Sequence, residues 1–297
     1  MPYLMLVLTT LFWSGNFVVS RGVHGEIPPF TLSFWRWATA LIILSFFGLS
    51  HFLRQRHLVR QHLRFICAQG ILGVTAFNSL IYLAVQSTTA INAVLVNSCI
   101  PVLIAICSWI MYREVMTPRQ CFGVLVSFCG VFLIIFRADL NILQSLQFNR
   151  GDVLVVIAAS FWALYSANLK KYPEGLHPFA YLTGIVIVGV LGILPLYLFE
   201  LAGGQYFQVN LHSVSAIVYV ALFASVLAFI FWNRAVRTVG ANKAGPFIHL
   251  MPVFSTILAV IFLGEEIQIY HVIGIVIIFT GITLTTYRTE KAATRSK

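Results

Sequence analysis

The chain has 297 residues, of which 59% are hydrophobic and 9% charged, and its mean hydropathy is +0.90. Soluble domains carry about 25% charged residues, so this composition excludes an ordinary soluble enzyme or binding domain and points to a membrane protein. The formal net charge of +10 does not indicate nucleic-acid binding. The excess falls in short segments between apolar runs and in the tail "YRTEKAATRSK", where it meets an anionic leaflet.

A helix needs roughly 20 apolar residues to cross about 30 Å of hydrocarbon. Charge-free runs cover residues 1–20, 37–53, 65–112, 120–136, 153–169, 175–199, 201–233, 244–264 and 267–287. The 65–112 run is too long for one crossing and turns at "QSTTAIN" (86–92), while "LAGGQYFQVNLHS" (201–213) is too polar and reads as a loop. The pattern predicts an all-α polytopic protein with ten spans. A β-barrel is excluded because its strands alternate in segments of about ten residues, whereas these runs are continuously apolar. The first run lacks a basic start and a small-residue cleavage site, so it is a span and not a signal peptide. With the amino terminus cytoplasmic, 15 of the 19 basic residues lie inside and only Arg21, Arg36, Arg137 and Arg150 outside. That asymmetry predicts cytoplasmic termini in a plasma (bacterial inner) membrane.

The stretch from Ala84, "AVQSTTAINAVLVNSCIPVL", sets ungapped against "AVRTVGANKAGPFIHLMPVF" from Ala235. Pro101 falls on Pro252, Glu114 on Glu265, Gly123 on Gly274 and Gly130 on Gly281. With a two-residue change of register, "LFWSGNF" (11–17) matches "SFWALYS" (160–166), and Pro29 falls on Pro178. The expected units are a first five-helix repeat, 1–150, a second, 151–287, and a basic tail, 288–297. Five spans is an odd number, so the second repeat enters with opposite polarity, the inverted arrangement of carriers that enclose a central cavity.

The opening "LFWSGNFVVSRG", the proline before a span with an early arginine ("PPFTLSFWRW"), the prolines of the fourth and ninth spans, and the "YRE" and "LGEE" that end them carry a resemblance. Over nearly its whole length the chain resembles the EamA family of the drug/metabolite transporter superfamily. The resemblance implies ten helices in two inverted five-helix repeats around a central cavity. It also implies export of amino acids or related small metabolites.

Polar residues inside spans are the candidate site, since such groups facing lipid are costly. Asn78 and Tyr82 are four apart, as are Asn97 and Pro101, and Trp162 and Tyr165 are three apart, so each pair shares a helix face. Phe229 and Asn233 share another face, and His249 lies beside Pro252. Asn78, Tyr82, Asn97, Trp162, Tyr165, Asn233 and His249 are therefore the candidate substrate-binding residues, with helix-to-helix hydrogen bonding and aromatic packing as the structural alternatives. Pro101 and Pro252 mark kinks in corresponding spans, and Pro246 adds a break to the ninth. Arg36 is either an interfacial anchor, with Trp35 and Trp37 at headgroup level, or a guanidinium at the cavity mouth able to hold a carboxylate. Lys243 poses the same choice at the cytoplasmic side. Glu114, Glu265 and Glu266 close their helices unfavourably and ask for partners, which Arg113 and Arg119 offer Glu114.

No acidic residue falls near the middle of a span, which argues against a drug-cation antiporter with a buried carboxylate and leaves His249 as the embedded proton candidate. The five cysteines form no metal spacing and read as small packing residues, and no nucleotide, zinc or nucleophile motif occurs. The sequence thus implies no catalysis, metal or cofactor. The expected partners are a small-molecule substrate and the bilayer, for a chain acting as a monomer or a homodimer. The expected function is export of neutral or aromatic amino acids by alternating access. The alternatives are a carrier that takes up or exchanges anionic metabolites through Arg36 and Lys243, and a membrane-embedded enzyme or structural subunit.

Overall fold

A computed structural model describes all residues except 23–26, 85, 89, 138, 140–148, 264–265 and 288–297. The long helices, numbered here in chain order, are α1 (Pro2–Gly22), α2 (Pro29–Phe47), α3 (Leu63–Ala84), α4 (Asn92–Tyr112), α5 (Pro118–Ile135) and α6 (Arg150–Lys171), then α7 (Pro178–Ala202), α8 (Leu211–Val239), α9 (Ala241–Phe262) and α10 (Ile269–Thr286). Helices α2 to α10 are each long and apolar enough to cross a membrane, and α1 adds 21 residues. Two short helices, Leu49–Arg54 and Arg56–Gln61, join α2 to α3. The described residues are all helix or connection, and the protein is a polytopic membrane protein. Large apolar side chains such as Ile42, Phe46, Trp109, Phe199 and Phe262 face outward, as lipid requires.

The helix ends follow local chemistry. Thr117, Asn149 and Asn210 cap α5, α6 and α8, each accepting from the backbone N–H three residues on. The polar loop after α7 is shorter than its composition suggests, because Asn210 starts α8 at Leu211, inside the segment read as loop. The proline kinks take the form of interruptions: α4 breaks at Ser98–Cys99, and α9 runs as a 3₁₀ turn over Gly245–His249, just ahead of Pro101 and Pro252 respectively.

Helices α5 and α10 pack at backbone distance. A Cβ on Gly123 would lie 2.6 Å from the Gly281 carbonyl oxygen, and one on Gly130 would lie 2.7 Å from that of Gly274. Only glycine allows this approach. The contacts are reciprocal: Gly123 corresponds to Gly274 and Gly130 to Gly281 in the repeat, yet each packs on the other's counterpart. An axis of two-fold symmetry running across two antiparallel helices requires this crossed pairing.

A second correspondence was invisible in the sequence. Helix α3 widens into a π-helical segment over Ile71–Ala76, and α8 does so over Val220–Leu227. These positions match in the repeat. A π segment frees carbonyls from the helical ladder, and such segments recur at functional sites.

Candidate functional site

The freed carbonyls are satisfied by side chains. In α3, Asn78 Nδ2 donates to the carbonyls of Gly73 and Val74, each at 3.0 Å. In α8, Ser225 Oγ donates to the Val220 carbonyl at 3.0 Å, and the Ala224 carbonyl accepts from Trp13 Nε1 at 3.1 Å and from Arg36 Nη2 at 3.2 Å. Arg36 joins the two segments. Its Nη1 donates to Asn78 Oδ1 and Tyr82 OH, both at 3.1 Å, while its Nε donates to Ser225 Oγ at 2.6 Å. With 4% of its surface exposed, Arg36 is not the interfacial anchor. Trp37 is buried against Phe229 with ring centroids 5.0 Å apart, and only Trp35 faces outward, so the two tryptophans do not form a headgroup pair.

Toward the basic end of the molecule, where Lys170, Arg234 and Arg237 lie, an aromatic cluster follows. Trp162 meets Trp13, its repeat counterpart, edge-on at 5.1 Å, and contacts Phe77, Tyr165, Phe229 and Trp232 at 5.0 to 5.8 Å. Tyr165 OH donates to Asn233 Oδ1 at 2.7 Å. One helical turn further, a cavity of about 320 Å³ opens between α4, α6, α8 and α9, lined by Glu114, Ala167, Lys170, Tyr172, Arg237 and Ala241 among others. There Glu114 pairs with Lys170 at 2.6 Å, so its partner is neither Arg113 nor Arg119. Arg237 lies 3.5 Å from the ring centre of Tyr172, whose phenol burial pushes up to about 12 against the pull of that cation.

These parts are aligned. Ser225, Phe229, Asn233 and Arg237 follow one another at four-residue spacing, so one ridge of α8, winding by about a third of a turn, runs from the Arg36 network through the rings to the cavity. Over twelve residues that ridge covers about 18 Å.

The predicted residues fall into three places. Arg36, Asn78 and Tyr82 form one network, and Trp162, Tyr165 and Asn233 form the aromatic cluster. His249 stands apart, fully buried at the α9 break, with Nδ1 at 2.7 Å from Ser127 Oγ and Nε2 at 2.9 Å from the Ser98 carbonyl oxygen. Ser98 is the repeat counterpart of His249, and its neighbour Asn97 keeps a buried Oδ1 without a partner. Lys243 is half-buried at the start of α9 and does not line the cavity. Glu265 lies outside the described residues. The cysteines are free, and Cys121 and Cys129 are exposed, so these two are not packing residues. Among the described residues no group of three or more His, Cys, Asp or Glu could hold a metal ion.

Other residues were missed. Gln69 is fully buried and donates to the Tyr165 carbonyl at 3.1 Å and Tyr181 OH at 3.2 Å. Trp13 could have been found, since it aligns with Trp162 in the quoted repeat, whereas the serines carried no signal.

Comparison with known proteins decides the family. The sequence profile of the EamA-like transporter family matches residues 1–136 and again 149–287. The chain belongs to that family. An "Uncharacterized transporter" of Archaeoglobus fulgidus is 30% identical over 96% of each chain. The "Uncharacterized transporter YyaM" of Bacillus subtilis is 27% identical over 94% of this EamA chain and 92% of its own, and "Uncharacterized transporter YetK" of the same organism is 27% identical over 97% and 88%. A crystal structure superposes with a TM-score of 0.80 at 21% identity, over 96% of both chains, and shows the same fold. The protein is thus a multi-pass membrane transporter.

Proposed function

We propose that this EamA protein exports neutral or aromatic amino acids across the plasma membrane by alternating access, with both termini and the basic end cytoplasmic. The face of α8 that links the cavity to the Arg36 network carries this reading. It supplies rings for stacking or cation-π contact and amides for hydrogen bonding, and the carboxylate on the cavity wall, Glu114, is paired with Lys170, a lining that suits a zwitterion with an apolar side chain. The conformation described is then inward-facing: cargo enters the 320 Å³ cavity from the cytoplasm, while the far end is closed by buried contacts. The two interrupted helices, α4 and α9, are the bending elements.

The test is flux of labelled amino acids, nucleosides and organic anions through the purified chain in liposomes, with and without a pH gradient. Saturable movement of aromatic or neutral amino acids that equilibrates without the gradient is the expected result. Trp162→Ala and Asn233→Ala should lower it by at least about tenfold, the loss of one good stacking or buried polar contact. Wild-type flux in both variants would remove the site assignment, and strict dependence on the gradient would move coupling to His249. A second reading, exchange of an anionic metabolite, is favoured by Arg237 on the cavity wall, beside the Glu114–Lys170 pair and in the place that Lys243 was expected to fill. Flux confined to anions would establish it.

A further inference from the structure

Arg36 is a buried cation that, among the described residues, is held by neutral oxygens. Its four bonds go to an amide oxygen, a phenol, a hydroxyl and a carbonyl, and among the described residues no carboxylate lies within 4.0 Å of it. The two buried carboxylates of the same end are committed elsewhere. Glu200 accepts from Phe30 N at 3.1 Å, Thr31 N at 2.6 Å and Thr31 Oγ1 at 2.7 Å, at the start of α2. Asp152 accepts from Thr88 Oγ1, from Asn92 Nδ2 at 3.0 Å and from Asn149 N at 2.8 Å. Charge balance at Arg36 is therefore left open. Bonds from a guanidinium to neutral oxygens offset only part of its desolvation, whereas a carboxylate can take two parallel N–H bonds, each about twice as strong.

Position adds a second argument. Nε and Nη2 hold α8 at its π segment, while Nη1 holds α3 at Asn78 and Tyr82, in the turns that follow its own. Arg36 thus ties together matching segments of the two repeats at the closed end. It also sits one ring beyond the aromatic cluster, through Trp37, whose ring centre is 5.1 Å from the guanidinium carbon and which packs on Phe229. A cargo stacked on that cluster has its polar head one turn from Ser225.

We propose that Arg36 is the carboxylate-binding residue of the cargo site, and that it exchanges its bonds to Ser225 and Ala224 for the cargo carboxylate, releasing the closed end. The inference rests on the transporter reading and deepens it: the cargo must be a carboxylic acid. A ligand shifts a conformational equilibrium only by its differential affinity for the two states. Replacing two neutral bonds by a salt bridge supplies that difference.

The experiment is counter-transport of labelled phenylalanine in liposomes, competed by phenylalanine, phenylalaninamide, phenylethylamine and phenylacetate. Both carboxylates should compete, with the amide and the amine at least about tenfold weaker. In Arg36→Gln that discrimination should shrink to within about twofold. Should that variant not fold, Ser225→Ala removes the side-chain competitor and should tighten carboxylate competition about two- to fivefold. Glu26, in the α1–α2 connection, lies outside the described residues, and Glu26→Gln serves as the control for an internal counter-ion. An amide that competes as well as the acid in the wild type would overturn the proposal, as would weaker carboxylate competition in Ser225→Ala or a Glu26→Gln phenotype matching that of Arg36→Gln. Phenylalanine exchange without carboxylate discrimination would sink the Arg36 assignment and leave the exporter standing. Arg36-dependent exchange of phenylacetate without phenylalanine would do the reverse, and no exchange of any carboxylate would end both.

Discussion

The two ends of the bundle are held by different physics. At the far end, beside the exposed Arg137, Asp139 and Arg150, three charged groups are buried and bonded: Arg36, Asp152 and Glu200 are 4%, 3% and 6% exposed, and each holds several partners from other helices or loops. At the basic end the charges are wet. The Glu114–Lys170 pair has side chains 40% and 47% exposed and borders a cavity. Desolvated hydrogen bonds to charged groups are worth about 1.5 to 3 kcal/mol, whereas exposed ion pairs contribute about 0 to 1 kcal/mol. One end is therefore tied by buried bonds and the other loosely, which is the asymmetry that the proposed inward-facing state needs.

Substitutions can break this comparison, and the largest effect is expected at Glu200. Glu200→Ala leaves two backbone N–H groups and a hydroxyl at the start of α2 without their acceptor, and should cost about 2 to 3 kcal/mol of stability in a denaturation assay in detergent. Asp152→Asn keeps the shape but loses the charge facing the first turn of α6, and should cost about 1 kcal/mol in the same assay. Glu114→Ala at the basic end should cost less than about 1 kcal/mol, and added salt should reduce even that. A Glu114 effect equal to that of Glu200 would dissolve the contrast.

The smallest effect concerns pH. His177, at the start of α7 on the basic side, stacks on His51 with ring centroids 3.8 Å apart. Desolvation and the neighbouring His51 lower its pKa from the ordinary 6.5. The unfolded chain then binds the proton more readily than the folded one, so stability is full above pH 6.5 and falls as the pH drops from 6.5 toward the lowered value. A small decrease in melting temperature between pH 7.5 and 5.5, reduced in His51→Asn, is the expected result. No change with pH would remove the stack as a source of stability.

Much of this architecture was legible in the sequence. Apolar runs, the turn at residues 86–92 and the repeat sufficed for the helices, because hydrocarbon thickness and hydrogen-bond satisfaction leave few alternatives. The site was only partly legible. Sequence spacing gives the depth of Arg36 but not the direction it faces, so the anchor and cavity-mouth readings both stood until α3 and α8 were seen around it. Asp152 and Glu200 lie near the ends of α6 and α7, in keeping with the lack of acids at mid-span in the sequence. Nothing local shows that Glu200 serves a helix 170 residues earlier, or that Lys170, 56 residues on, takes Glu114 from its basic neighbours. The π segments left no trace in composition, since they depend on how carbonyls are satisfied across helices.

Access from the two sides is the most direct measurement. In a chain whose native cysteines are replaced by serine, Ser79→Cys reports the far half of α3 and Ala241→Cys reports the cavity, with an impermeant maleimide applied to each side in turn. Without cargo, Ala241→Cys should label from the basic side while Ser79→Cys stays protected from the far side. Transported cargo, or Arg36→Gln without it, should expose Ser79→Cys. Equal labelling of Ser79→Cys with and without cargo, unchanged by Arg36→Gln, would contradict a far end held shut by Arg36.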